Sequence, residues 1–289
     1  MDVNVSKYLA FVTTVECGSF TRAARLLNYS QSGISRMIID LEREWQLSLL
    51  ERSRTGVCLT SDGERLLPYA RSLCAEYRRL QMQVDDLRGV QSGLIRIGTI
   101  SSIATHWLPN IIKAFQSDYP GIDYELLLGD YGEIEGWVRD GQADCGFTNL
   151  PDESDLDLIP LECDSFMAVL PKDHPLAELE VVPIASLCSE PFLLLEKTGT
   201  HDVSELFASN GLHPRVHFTT WDDYAIMSMV EGGLGISMLP RLILKRIPYD
   251  IAIRPTDRTV RRSLGIMLRD RNSSSAALRK FLEYIDRRQ

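Results

Sequence analysis

The sequence predicts an α/β protein with an α-rich N-terminal winged helix-turn-helix and a two-lobed α/β domain after it. Three observations lead to this class. Short amphipathic helices and a basic hairpin fill residues 1–60, an apolar heptad seam follows over 61–89, and strands alternate with helices in two runs over 90–289. We therefore expect three segments with these boundaries, the middle one a single long helix.

The composition is that of an ordinary globular chain. Of the 289 residues, 44% are hydrophobic and 25% are charged, which excludes the disordered and fibrous classes. No apolar run reaches the roughly 18 residues that span a bilayer. The N-terminus has no basic segment leading into an apolar one, which would mark a secretory signal. We therefore expect a cytoplasmic protein with no membrane partner.

The charge is unevenly distributed along the chain. The net charge is −9, but the first 90 residues carry 12 Lys and Arg against 11 Asp and Glu, and the rest carry 19 against 29. A near-neutral head can present its arginines to DNA locally while an acidic body repels DNA. The charge distribution thus permits a DNA-binding head.

Three short helices are predicted in the head. Apolar residues recur at three-to-four spacing over 5–15, and Gly18 ends that helix. Ser19 and Ser30 are the predicted N-caps of the second and third helices, and the third runs over about residues 31–45. Short helices joined by a tight turn, the last one opening with polar side chains, are typical of a helix-turn-helix, whose last helix enters the DNA major groove.

Polar side chains at the start of the third helix are the predicted DNA contacts, because Gln can pair with adenine and Arg with guanine at base edges. Two extended pieces around a basic turn follow, which predicts a wing whose arginines reach phosphates, although hairpin arginines also occur on merely solvated surfaces. For Ser30 we favour the capping role. The candidate DNA-binding residues are Thr21, Ser30, Gln31, Ser32, Ser35, Arg36, Arg52 and Arg54.

An apolar seam with alternating spacings of four and three residues predicts a long helix that pairs with a second copy of itself. Ser61 and Glu64 form a predicted capping box at its start, and Pro68 predicts a kink. A single amphipathic helix packed on its own domain is the alternative, but the strict spacing favours a dimer. The seam residues are Leu66, Ala70, Leu73, Tyr77, Leu80, Val84 and Leu87.

Strand and helix patterns then restart once, which predicts two lobes, the first over about 94–162 and 268–289 and the second over 163–267. Ligands of open α/β sheets bind beyond the carboxyl ends of strands and at helix N-termini, where hydroxyl-bearing loops lie in this sequence. The candidate ligand-binding residues are Thr99, Ser101, Ser102, Thr148, Thr200, His201 and Trp221.

The chemistry of these loops suggests a class of ligand. They contain no arginine, which argues against a highly charged ligand held by guanidinium groups. Hydroxyls and helix N-termini favour a singly charged carboxylate or a polar neutral molecule, on whose ring Trp221 could stack. The alternative is that the loops only cap helices and bind no ligand.

Sequence signatures of catalysis, cofactors and metals are missing. There is no phosphate-binding loop and no nucleophile elbow, and the five histidines and six cysteines form no metal-ligand spacing. We therefore expect no enzymatic activity, no cofactor and no metal. Two alternatives stay open: a metabolite-binding or enzymatic α/β protein whose head only dimerises, and a redox switch built on Cys145, Cys163 or Cys188.

One block of the head carries a family pattern. It reads Phe11-x-x-x-Val15, Gly18-Ser19-Phe20-Thr21-x-Ala23-Ala24-x-x-Leu27, Ser30-Gln31-Ser32-x-Ile34-Ser35, Leu41-Glu42, Leu49, Arg52 and Leu59-Thr60-x-x-Gly63. The block resembles the winged helix-turn-helix of LysR-type transcriptional regulators. In the body, Gly232-Gly233-Leu234-Gly235-Ile236 is similar to the effector domain of that family.

The resemblance covers essentially the whole chain. It implies a periplasmic-binding-protein-like effector domain of two lobes, sequence-specific binding of double-stranded DNA, a small-molecule effector, and a homodimer that pairs into a homotetramer. Two departures stand out: Trp45-Gln46 replaces the usual Leu-Gly after the recognition helix, and Leu50 replaces the usual Phe. Both departures should alter how the wing packs on that helix.

Overall fold

A computed structural model describes residues 4–53, 56–87, 92–196, 201–271 and 274–288. The chain divides after Val90 into two compact units, except that Asp140–Gln142 group with the first unit. Within the described ranges, no helix is both long and apolar enough to cross a membrane.

The head contains the three predicted helices, with bounds at or next to the predicted ones: α1 (Val5–Cys17), α2 (Phe20–Leu26) and α3 (Gln31–Trp45). The Ser19 and Ser30 hydroxyls cap α2 and α3 as predicted, and Gly18 ends α1 at a φ of +59°. The head core is formed by residues that are at most 7% exposed, namely Ala10, Phe11, Val12, Ala23, Ala24, Ile34, Ile38, Leu41, Leu49, Leu67, Ala70 and Cys74.

The predicted wing is an antiparallel pair, β1 (Leu50–Ser53) and β2 (Gly56–Leu59). One carboxylate fixes it to α3, because Glu42 Oε1 accepts hydrogen bonds from the backbone N–H groups of Leu49 at 2.7 Å and of Leu50 at 3.2 Å. The first N–H belongs to a fully buried residue, so this carboxylate satisfies a donor that water does not reach. The orientation of the wing therefore depends on the recognition helix.

The departure at position 46 has a local structural consequence. Gln46 follows α3 in the left-handed region, at a φ of +56°, where glycine is the usual residue. Its side-chain Nε2 donates to the carbonyl oxygen of Arg43 at 2.8 Å, which caps one of the last carbonyls of the helix. Trp45 packs beside Tyr8, with ring centroids 5.8 Å apart.

The long helix α4 (Ser61–Leu87) begins as predicted, but the predicted capping box is wrong. The cap is one residue earlier: the Thr60 hydroxyl accepts from the Gly63 N–H at 3.0 Å and donates to the Ser48 carbonyl at 2.6 Å. A side-chain oxygen caps best from the residue just outside the helix, and Ser61 is already inside it.

The first lobe of the body has three parallel strands, β3 (Ser92–Thr99), β4 (Gly121–Leu128) and β5 (Cys145–Asn149). Its helices are α5 (Ser101–His106), α6 (Leu108–Asp118) and α7 (Tyr131–Arg139). The helices α5 and α6 meet at the buried Trp107, and Pro109 lies in the first turn of α6, where its missing N–H costs no helical hydrogen bond.

The second lobe is built around the parallel strands β7 (Pro191–Leu195), β8 (Arg215–Thr220) and β9 (Ile236–Pro240). The helices α8 (Ile184–Leu187), α9 (Asp202–Ser209) and α10 (Asp223–Glu231) cover them, and β10 (Ile251–Arg254) pairs with the strand described next. Two apolar clusters fill the lobe, one around Phe192 and Phe207 and one around Ile226 and Leu239.

Two antiparallel strands, β6 (Asp157–Pro171) and β11 (Arg261–Leu268), run through both lobes and place Arg262 opposite Asp164. They complete a continuous sheet of order β4-β3-β5-β11-β6-β9-β7-β8. Leu264, Ile266 and Leu268 lie in the first lobe's core beside the last helix, α11 (Ala276–Leu282). The first lobe's core therefore includes residues of β11 that precede the boundary predicted at 267/268.

Gly63 is a position where any side chain meets backbone. A Cβ there would lie 2.2 Å from the Leu49 carbonyl oxygen, beside the start of the wing. We expect Gly63→Ala to lower the free energy of unfolding by about 2 kcal/mol or more, measured in urea by circular dichroism.

Gly136→Ala is the matched control for this substitution. A Cβ at Gly136 has nothing within 4 Å, and the residue lies inside α7. Alanine should therefore leave stability unchanged or raise it by about 0.5–1 kcal/mol. Equal stability of Gly63→Ala and the wild type would contradict the close packing of wing and helix.

Candidate functional site

One face of α3 carries four of the predicted DNA contacts. A shallow groove on the surface is lined by Gln31, Ser32, Ser35, Arg36, Ile39, Asp40 and Arg43, which we call the recognition face. The opposite side of the helix is buried through Ile34, Ile38 and Leu41, so only the recognition face can approach another molecule.

The recognition face extends further along the helix than the sequence analysis proposed. Ile39, Asp40 and Arg43 were missed, although they continue the same face at helical spacing. Arg43 lies 3.5 Å from the Asp40 carboxylate. Arg36 is exposed and has no ion-pair partner in the described part of the chain, so its guanidinium can take an outside acceptor.

The remaining DNA candidates lie in different environments. The Ser30 hydroxyl accepts from the Gly33 N–H at 3.0 Å, which is the capping role that we favoured. Thr21 is exposed on α2. Arg52 lies on β1 opposite Val57, and Arg54 lies outside the described residues.

A cleft between the two lobes of the body is the second candidate site. It holds about 700 Å³ of empty space, part of it open to solvent. Its apolar lining consists of Ile100, Leu128, Phe166, Leu195, Trp221 and Pro240, and its polar lining includes Ser101, Ser102, Asp130, Tyr131, Glu196, Asp202, Asp223 and Arg262. Three of the predicted ligand-binding residues, Ser101, Ser102 and Trp221, therefore lie in this lining.

The other predicted residues lie elsewhere. Thr99 and Thr148 are fully buried and do not line the cleft, because each is near the end of a strand whose side chains are covered by the first lobe. His201 lies beside the cleft, with its Nδ1 2.8 Å from Glu196 Oε1. Thr200 lies outside the described residues.

A buried ion pair forms the inner wall of the cleft. The Arg262 guanidinium donates to Asp164 Oδ2 through Nε at 3.0 Å and through Nη2 at 2.8 Å, and both residues are 5% exposed. The same guanidinium donates to the Ser102 hydroxyl at 2.9 Å and to the Tyr131 hydroxyl at 3.3 Å. Asp164 Oδ1 also accepts from the N–H of Leu242, in the segment that follows β9, at 3.2 Å.

A tyrosine hydroxyl extends this network across the cleft. Tyr131, on the first lobe, donates to Asp202 Oδ2 of the second lobe at 3.2 Å. Burial raises the pKa of Tyr131 to about 12, so its hydroxyl stays neutral and can donate at physiological pH. Burial also raises the pKa of Asp202. The two lobes are therefore joined by a continuous chain of hydrogen bonds.

The buried pair was missed by the sequence analysis. The absence of arginine from the loops led us to expect no guanidinium at the site, but Arg262 reaches the cleft from a strand. Asp164 directly precedes the mostly apolar run over 165–170, and Arg262 directly precedes the similar run over 263–268. The one available signal was a charged residue at the border of each apolar run.

Metal and thiol chemistry find little support in the described residues. No group of three or more His, Cys, Asp or Glu side chains in that part of the chain is arranged to hold a metal ion. Burial raises the pKa of the Cys145 thiol well above its usual value and also raises that of Cys188, which opposes the reactive thiolate. Cys163 is exposed and forms no disulfide.

Comparison with family models covers both units of the chain. Residues 6–64 match the bacterial regulatory helix-turn-helix proteins of the lysR family, and residues 88–289 match the LysR substrate binding domain. The chain belongs to the LysR family. It is thus a DNA-binding transcriptional regulator of LysR type, with a helix-turn-helix head and an effector-binding domain.

Individual relatives agree with this family assignment. The chain is 31% identical over 265 residues to the probable HTH-type transcriptional regulator LrrA of Synechococcus elongatus, covering 91% of this chain and 90% of the relative. Among solved structures it is similar to HinK, a LysR family transcriptional regulator from Pseudomonas aeruginosa, at 28% identity and a TM-score of 0.60 over 100% of this chain and 99% of that one. Full-length CbnR complexed with its target DNA shares the fold, at 21% identity and a TM-score of 0.70 over 99% of this chain and 100% of that one.

We predict that loss of one partner of the buried ion pair strongly lowers the free energy of unfolding. Arg262→Met leaves the Asp164 carboxylate buried without its partner, so we expect a loss of about 3–5 kcal/mol in the free energy of unfolding of the full chain in urea. Adding Asp164→Leu should recover a large part of that loss, because the second substitution removes the uncompensated charge.

Arg139→Met provides the control. Arg139 forms ion pairs with Glu135 and Asp155, each at 2.7 Å, but its side chain is 46% exposed. Its removal should cost about 0–1 kcal/mol. Strictly additive losses in the Arg262/Asp164 double variant would contradict a coupled pair.

Proposed function

We propose that this LysR-family regulator reads its operator through the recognition face of α3 and responds to a small molecule bound in the cleft between its lobes. The observation that carries the proposal is the polar recognition face, which is exposed except at the half-buried Ser35 and Asp40, on a helix whose other side is buried in the head. Its Gln and Arg side chains have the donors and acceptors that discriminate bases in the major groove.

The proposal includes a homodimer held through α4. Tyr77 and Leu80 lie on the predicted heptad seam and are 38% and 58% exposed in the single chain. Burial of such side chains against a second copy would remove apolar surface from water. A dimer would present two recognition helices about one turn of DNA apart, which suits a roughly palindromic operator, and a tetramer would pair two such dimers.

The ligand response follows from the cleft. A ligand that touches both lobes binds one angle between them more tightly than another, and only that difference in affinity can shift the DNA-bound arrangement. A coupling of about 1–3 kcal/mol is typical of such regulation. The regulator acts without catalysis in this proposal, and its place is the cytoplasm, where DNA and metabolites meet.

Operator recognition is tested by substitution of Arg36. Fragments of the host's genomic DNA bound by the wild-type protein are selected and sequenced to define the operator. Arg36→Ala should then lose about 1–3 kcal/mol of affinity for the operator and much less for a scrambled site, measured by fluorescence anisotropy at fixed salt.

Arg258→Ala is the control for this measurement. It removes the same charge from an exposed position in the body, and operator affinity should not change. If selection enriches no sequence, the head does not read DNA, and the alternative of a metabolite-binding protein with a dimerising head gains support. If Arg36→Ala binds the operator like the wild type, Arg36 is not a contact.

The dimer is tested at Leu80, which is exposed in the single chain, so that its replacement does not disturb the head core. Leu80→Lys should abolish dimerisation in analytical ultracentrifugation and operator binding together, because two charges would face each other across the seam. Gln81→Lys adds the same charge to the neighbouring exposed position and should leave both properties unchanged. A Leu80→Lys protein that remains a dimer would refute the seam.

A further inference from the structure

The electrostatics of the cleft lining are dominated by carboxylates. Four of the described lining residues carry a carboxyl group, Asp130 from the first lobe and Glu196, Asp202 and Asp223 from the second, and one carries a guanidinium. Lys197, the next residue after Glu196 in the sequence, lies outside the described residues. A cavity lined in this way attracts cations and repels anions.

The one guanidinium among the described lining residues, that of Arg262, already donates hydrogen bonds to acceptors within the protein. Four of the five N–H donors of Arg262 go to Asp164, Ser102 and Tyr131, and one face of its plane lies 5.8 Å from the Phe166 ring centroid. A ligand carboxylate would have to displace one of these acceptors to form a forked pair. The arginine is therefore a structural element of the cleft and a poor anchor for an anion.

Burial disfavours the charged form of two of the carboxylates, Asp202 and Asp223. Burial raises the pKa of Asp223 to about 6, although the nearby positive charge of Arg262 opposes the shift, and no described side chain donates a hydrogen bond to this carboxylate. Burial raises the pKa of Asp202 as well, and its hydrogen bond comes from the neutral Tyr131 hydroxyl. Neither carboxylate has a salt-bridge partner in the described part of the chain, so a cation that entered the cleft would offset their desolvation.

The other lining residues suit a ligand that has an apolar body as well as a positive charge. Ile100, Leu128 and Leu195 give the cleft apolar walls, and Trp221, which is 60% exposed, is part of the same lining. The ligand class expected from the sequence, a singly charged carboxylate or a polar neutral molecule, was based on hydroxyls and helix N-termini and on the absence of arginine from the loops. None of the four acidic side chains was among the candidate ligand-binding residues. Asp202 comes directly after one of them, His201, in the sequence.

We propose that the ligand of the cleft is an organic cation, an amine with an apolar body, whose ammonium group is bound by Asp202 and Asp223. The inference rests on the proposed function, because it names the class of effector for that same cleft. It excludes a simple carboxylate as the effector.

Three matched pairs of probes test the charge preference: benzylamine and benzoate, phenethylamine and phenylacetate, and putrescine and succinate. Binding to the full-length protein is measured without DNA, by thermal shift and by tryptophan fluorescence at neutral pH and constant ionic strength. We expect at least one amine to raise the melting temperature and to bind at least about tenfold more tightly than its carboxylate partner.

Two variants then locate the amine. Asp223→Asn should weaken binding of the amine about tenfold or more, because it removes a carboxylate from the cleft. Asp173→Asn removes the same charge at an exposed position outside the cleft and should leave binding unchanged. Asp202→Asn, which keeps an acceptor for Tyr131, should weaken binding in the same way as Asp223→Asn.

Tighter binding of the carboxylates, binding that is insensitive to both cleft variants, or no binding by any amine would overturn the inference. Because the assay contains no DNA, these outcomes leave operator recognition untouched. Failure of the proposed function has a different signature, which is the absence of an enriched sequence in the genomic selection.

Discussion

The buried ion pair between Arg262 and Asp164 is the constraint on which the body of this protein depends. Its partners face each other on β6 and β11, the two strands that both lobes share. The guanidinium binds Ser102 and Tyr131 of the first lobe, and the carboxylate accepts from the Leu242 N–H in the segment that follows β9. Two charges this deeply buried are tolerated only when each is paired and hydrogen-bonded, so the pair fixes the strands and both lobes together.

The shape and the charge of the cleft both follow from this pair. Because Arg262 is neutralised within the protein, the carboxylates around it determine the field that a ligand meets. The Tyr131–Asp202 hydrogen bond crosses from lobe to lobe at the same place. In the proposed complex, a ligand ammonium bound to Asp202 would share this carboxylate with the Tyr131 hydroxyl, which would link occupancy of the cleft to the hydrogen bond between the lobes.

In the head, hydrogen bonds from side chains to the ends of helices and strands fix the geometry. Hydroxyl caps begin α2, α3 and α4, and the Glu42 carboxylate fixes the start of the wing to α3. These bonds satisfy backbone donors that would otherwise be lost at helix and strand ends. The apolar side of α3 packs in the head core, so its polar face is the side of this helix that is accessible to DNA.

The sequence by itself determined the local structure of this protein and its family. Caps, heptad spacing and strand alternation act over a few residues, so α1 to α4, the wing and most body strands were predictable. Only the tertiary structure decided which polar residues meet. Thr99 and Thr148 are buried although their loops looked functional, and Arg262 pairs with a carboxylate 98 residues away. Such a contact depends on the antiparallel register of β6 and β11, and no local pattern records how distant strands align.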